Sequence, residues 1–77
     1  MQFKYKSPAG LFTIRPLLSA RWALSRDETL VGTYPSPQSA VDDVYFHMTG
    51  LPDWDSLVLD NVPATLSDWD MESGGQP

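Results

Sequence analysis

The stretch TLVGTYPSPQSAVDDVYFHMTG, residues 29–50, decides the fold, because the spacing of its apolar residues changes in the middle. Residues Thr29 to Tyr34 read as a strand that stops at Pro35. Beyond it, Ser36 is a good helix N-cap and Pro37 suits the first helical position. Ala40, Val41, Val44, Tyr45 and Met48 then recur at helical spacing and make one apolar stripe. Gly50 is a natural stop after Thr49. The spacing predicts a strand over 29–34 and a helix of about three turns over 37–49. Gly32 inside the strand signals a bulge or a close approach by the helix. Asp42 and Asp43 fall off the stripe toward solvent, and Phe46, at about 100° per residue, falls nearly opposite the stripe's centre.

Working toward the N-terminus, the period is two. Phe3-Lys4-Tyr5-Lys6 alternates apolar and charged side chains, and Phe12 and Ile14 alternate with Thr13 and Arg15. Ser7-Pro8-Ala9-Gly10 between them has the make-up of a tight turn. Pro16 ends the second strand, and a short link leads to Arg21-Trp22-Ala23-Leu24-Ser25, with Trp22 and Leu24 as its inward pair. Asp27-Glu28 makes the next turn. Toward the C-terminus the pattern is less regular. Leu51-Pro52-Asp53-Trp54-Asp55 begins with a turn, Leu57-Val58-Leu59 suits a short strand or an extended run, and Val62-Pro63 opens a short helical segment over about 63–70. Trp54, Leu66 and Trp69 are expected to close the open end of the core. The expected fold is α+β: a three- or four-stranded antiparallel meander packed by one helix, a single domain over 1–72, with Ser73 to Pro77 as a flexible tail.

Every basic residue precedes every acidic one. Lys4, Lys6, Arg15, Arg21 and Arg26 are the five cations, and all ten carboxylates lie from Asp27 onward, for a net charge of −5. A domain of 77 residues buries only about 60% of its unfolded surface and is thinly stable. With no cysteine there is no disulfide, thiolate chemistry or Cys-based zinc site. No apolar run is long enough to span a bilayer or serve as a signal peptide, and the expected compartment is the cytoplasm. Alternation also sorts the charge. If Phe3, Tyr5, Phe12, Ile14, Trp22 and Leu24 face one core, then Lys4, Lys6, Arg15 and Arg21 face the other way, leaving one sheet face basic and open.

The sequence resembles a group of very small uncharacterised proteobacterial proteins. The resemblance rests on Phe12-Thr13-Ile14, Arg21-Trp22, Gly32-Thr33-Tyr34-Pro35-Ser36-Pro37, Ala40-Val41-Asp42-Asp43 and Pro63-Ala64-Thr65-Leu66-Ser67-Asp68-Trp69, in that order over about residues 3–70. Members of the group often carry Gly-Gly-His-Thr after the paired aspartates, where this chain has Tyr45-Phe46-His47-Met48-Thr49-Gly50. The resemblance implies a compact domain and brings no activity with it.

Asp43 and His47, four apart on the expected helix, are the one pair with the make-up of an acid–base couple, but such a pair needs a pocket beside a substrate. Asp53, Asp55 and Asp60 lack the spacing and the glycine of a calcium loop, and one histidine without cysteine is a poor transition-metal set. No cofactor is expected. Lys4, Lys6, Arg15 and Arg21 are candidate phosphate ligands, although the acidic total charge disfavours a nucleic-acid partner and the basic face has no aromatic residue for stacking. The acidic C-terminal segment could also fold back and neutralise them. Carboxylates grouped around Phe46, Trp54 and Trp69 suit either a protein partner or imitation of DNA by a phage- or plasmid-borne inhibitor of a host nuclease or defence complex. Phe46 is expected to be covered by the chain itself or, failing that, to anchor a partner. The favoured expectation is a non-enzymatic protein-interaction module that binds through Asp42, Asp43, Phe46, Asp53, Trp54, Asp55 and Asp60, with self-association as a subordinate form.

Overall fold

A computed structural model describes residues 1–72 of the chain, so the expected tail at 73–77 lies outside the described residues. Strands β1 (Gln2–Ser7), β2 (Gly10–Pro16), β3 (Trp22–Arg26) and β4 (Thr29–Tyr34) form the antiparallel meander that the alternation predicts. A fifth strand, β5 (Asp70–Glu72), returns to pair antiparallel with β1, giving the order β4-β3-β2-β1-β5. Helix α1 (Pro37–Tyr45) packs across β2, β3 and β4. A four-residue helix, α2 (Pro52–Asp55), and a 3-10 turn at Leu66–Asp68 complete the layer on that side. The fold class is α+β.

Local chemistry sets the two hairpins. Ser7 Oγ donates to the Gly10 carbonyl at 2.6 Å and accepts from the Ala9 amide at 3.1 Å, closing the first turn. Gly10 has φ of +130°, which only glycine adopts freely, and a Cβ there would lie 2.8 Å from an Asp27 oxygen. Asp27, at φ of +53°, turns the chain between β3 and β4. Its amide donates to the Leu11 carbonyl at 2.7 Å and its carboxylate accepts from the Leu11 amide at 3.1 Å, which ties the second turn to the start of β2. The irregularity signalled by Gly32 is a bulge. Leu24 faces Gly32 and Ser25 faces Leu30, so Val31 is the extra residue, and it packs against the core.

The core is a sandwich of sheet and helix. Phe3, Phe12, Ile14 and Leu24 lie under Ala40, Val41 and Val44, with Trp54 and Trp69 closing the end. Tyr5 and Trp22 are half-buried at its margin. Trp54, completely buried, sets its ring against Phe12 at 5.0 Å and Tyr5 at 6.2 Å, both edge to face.

Helix α1 begins as expected, with Ser36 Oγ accepting from the Ser39 amide at 3.2 Å and Pro37 in the first turn. It ends four residues earlier than expected. The His47 amide donates to the Val44 carbonyl and the Met48 amide to the Asp43 carbonyl, with His47 at φ of +57°. That is a Schellman closure with histidine, in place of glycine, in the left-handed position. Tyr45 and Met48, expected on the apolar stripe, are consequently exposed. Gly50, at φ of +84°, instead turns the chain into α2. Residues 57–59 form no ladder. Leu57 and Leu59 pack on the core while Val58 is 92% exposed. The expected helical segment over 63–70 shrinks to the turn at Leu66–Asp68. Gln38 holds it in place, accepting from the Leu66 amide at 3.0 Å and donating to the Ala64 carbonyl at 3.2 Å.

Candidate functional site

Residues directly opposite one another in an antiparallel ladder share a face. Lys4 faces Thr13, Lys6 faces Leu11, and Arg15 faces Ala23, which in turn faces Thr33. These residues lie on the face opposite Phe3, Phe12, Ile14 and Leu24. Arg21, in extended backbone just before β3, joins them and donates to the Thr33 carbonyl at 3.1 Å and hydroxyl at 3.2 Å. Lys4, Lys6, Arg15 and Arg21 therefore share one face of the sheet. The chain from Leu51 to Trp69 packs on the other side, against the apolar core, and does not cover them. Ala23, on the basic face between Arg15 and Thr33, is only 1% exposed. Among the described residues, β5 brings acid to this face, and the Asp27-Glu28 turn stands at the end of the sheet beside Leu11. Asp70 pairs with Lys4 in register, and Glu72 lies 3.2 Å from the Lys4 ammonium.

The fifth cation is on the other side. Arg26 faces Phe12 in register and reaches α2, where it meets the Asp53 carboxylate at 2.6 Å. This hydrogen bond, together with the charge of Arg26, holds Asp53 below the usual carboxylate range.

The acidic residues do not gather into one surface. Asp43 accepts from the Tyr34 hydroxyl at 2.8 Å, tying the end of β4 to α1. Burial, then the hydrogen bond and charge of Asp43, push the Tyr34 phenol well above its ordinary range. Asp55 accepts from the Thr49 amide at 3.0 Å, the Thr49 hydroxyl at 2.8 Å and the Gly50 amide at 2.8 Å. Burial raises its pKa, but these three donors outweigh burial and leave it depressed. Asp43, Asp53 and Asp55 thus organise the fold. Asp42, which accepts from Gln38 at 2.9 Å, and Asp60 remain exposed on the surface.

The structure also departs from other readings that the sequence allowed. Trp54 is no partner ligand: it is completely buried, and its indole N–H donates to the Val44 carbonyl at 3.1 Å. Trp69 is buried as well, so neither tryptophan backs an acidic surface. The Asp43–His47 couple does not form, because α1 ends before His47. That ring stacks on Trp54 at 4.8 Å and bonds the Trp54 carbonyl through Nδ1 at 2.9 Å. Phe46 is not covered by the chain. It is 63% exposed and meets the exposed Tyr45 ring edge to face at 4.9 Å. With Met48, also exposed, they form an apolar knob at the end of α1 that sequence reasoning located only in part. Among the described residues there is no group of three His, Cys, Asp or Glu side chains placed to hold a metal, no cavity, and no helix long and apolar enough to cross a membrane.

Compared with models of protein families, with curated proteins and with solved structures, the chain matches none.

Proposed function

We propose that this chain is a non-enzymatic interaction module whose contact surface is the Tyr45–Phe46–Met48 knob, bordered by Asp42. The observation that carries the reading is the 63% exposure of Phe46 with its ring braced against Tyr45. Exposed aromatics cost solubility when nothing covers them, and a braced ring loses little freedom on docking. Asp42 lies one helical turn before Phe46, whose amide donates to its carbonyl. A carboxylate therefore stands beside the anchor. The partner that fits is a protein with an apolar socket rimmed by lysine or arginine, and its association would be salt-sensitive.

A photo-crosslinking residue at position 46 tests this in the host cell, with one at position 58 as control, since Val58 is more exposed still. A discrete adduct from position 46 that is absent from position 58 and lost in Asp42→Lys supports the module. Identical adduct patterns from both positions overturn it.

A further inference from the structure

We infer that the outer face of the sheet is a second, separate docking surface, a cationic track for the phosphate backbone of duplex nucleic acid. The ladder registers give the four cations an order. Lys6 and Lys4 are two residues apart on β1, about 7 Å. Lys4 faces Thr13, so Arg15 is its diagonal neighbour, and Arg15 faces Ala23, so Arg21 is the next diagonal, each step about 7–8 Å. Lys6, Lys4, Arg15 and Arg21 therefore form one oblique line across β1, β2 and β3. The line is about 20 Å long, as much as about six base-pair steps along a duplex.

The net charge of −5 opposes a polyanion at long range, but most of it lies away from this face. Apart from Asp70 and Glu72 on β5 and the Asp27-Glu28 turn at the end of the sheet, the carboxylates belong to α1 and the chain that packs with it on the far side. A packed layer lies about 10 Å away. That is about one Debye length at physiological salt, so those carboxylates act on the outer face more weakly than its own residues do. Lys6, Arg15 and Arg21 are exposed, and neither Lys6 nor Arg15 has a carboxylate partner among the described residues. The Lys4–Glu72 pair is a surface ion pair, which a phosphate replaces at little cost. The face carries no aromatic ring, so the track holds backbone without stacking bases, which favours duplex over single strands.

The test is fluorescence anisotropy with a labelled duplex of about 20 base pairs, titrated with the whole chain from about 50 mM to about 200 mM salt. Three to four phosphate contacts predict a log–log salt slope between about −2.7 and −3.6. Lys6→Glu/Arg15→Glu should weaken binding at least about tenfold and reduce the slope by about 1.8. Lys6→Gln/Arg15→Gln, which adds no like charge to the fold, should reduce it similarly, and Phe46→Ser should leave it unchanged. Circular dichroism checks the fold of each variant. Absence of binding at low salt, a slope near zero, or unchanged binding by the Gln variant overturns the track. So does binding to phosphatidylserine vesicles as tight as to the duplex, which would assign the face to an anionic membrane.

Discussion

The His47 ring lies flat against the Trp54 indole, centroids 4.8 Å apart and planes 19° from parallel, and the same histidine occupies the left-handed position that ends α1. A residue other than glycine at that position costs about 1–2 kcal/mol of backbone energy. Stacking and the bond from Nδ1 to the Trp54 carbonyl offset it. Helix end, α2 and core are thereby joined through one side chain.

This arrangement makes a paired prediction. His47→Ala loses the ring and keeps the backbone strain, whereas His47→Gly loses the ring and relieves the strain. The glycine variant should be the more stable of the two by about 1 kcal/mol, although glycine is usually the more destabilising substitution. Urea unfolding of both variants measures the difference, and an alanine variant equal to or above glycine contradicts the account.

The two buried tryptophans should respond differently to the same change. The Trp54 N–H bonds the Val44 carbonyl, while the buried Trp69 N–H has no partner among the described residues. Both phenylalanine variants leave a void, but only Trp54→Phe removes a buried hydrogen bond, to a Val44 carbonyl that keeps the His47 amide, and only Trp69→Phe removes an orphan donor. Trp54→Phe should cost about 2 kcal/mol more than Trp69→Phe. Near-equal midpoints in denaturant would remove the distinction.

Tyr34 at the end of β4 and Asp43 on α1 meet at 2.8 Å. A double-mutant cycle of Tyr34→Phe and Asp43→Asn should return a coupling of about 1 kcal/mol. Additive single effects would show that the bond contributes nothing net.

Asp53 and Asp55 are expected to set the acid limit. Their folded pKa values lie below the ordinary 3.8, so the folded state binds fewer protons than the unfolded chain as pH falls. The stability they supply is complete above the ordinary carboxylate range and is lost as pH drops through the depressed values. Thermal midpoints should be level near neutrality and fall below about pH 4. Asp53→Asn/Asp55→Asn should lower the neutral midpoint and flatten the acid limb. An acid limb as steep as in the wild type would place the titrating groups elsewhere.

Much of the architecture is legible in local chemistry. The period of two in β1 and β2, the turn residues Ser7 to Gly10, Asp27, the bulge beside Gly32 and the Ser36-Pro37 helix start all act over a few residues, and each appears where its residue type demands. The sidedness of the four cations follows from the same period. β5 was not legible, because Asp-Met-Glu has no apolar alternation and forms a strand only where the β1 edge supplies its hydrogen bonds. The site was read less well than the fold. Asp43, Asp53 and Asp55 look like surface residues in a chain read linearly, but each one's role depends on a partner that tertiary contact brings to it. Trp54, expected both at the end of the core and at a partner surface, is found only in the core.

The sequence by itself determined which side chains alternate, where the chain turns and where the helix starts, since these preferences reside in single residues and their immediate neighbours. Tertiary structure alone decided that residues 51–69 pack beside α1 on the core side of the sheet instead of over the cations. It also decided that a histidine could end α1, and that Phe46 would remain uncovered. Those outcomes depend on long-range burial around Trp54, whose apolar area is stabilised only once Phe12, Tyr5 and His47 have closed around it.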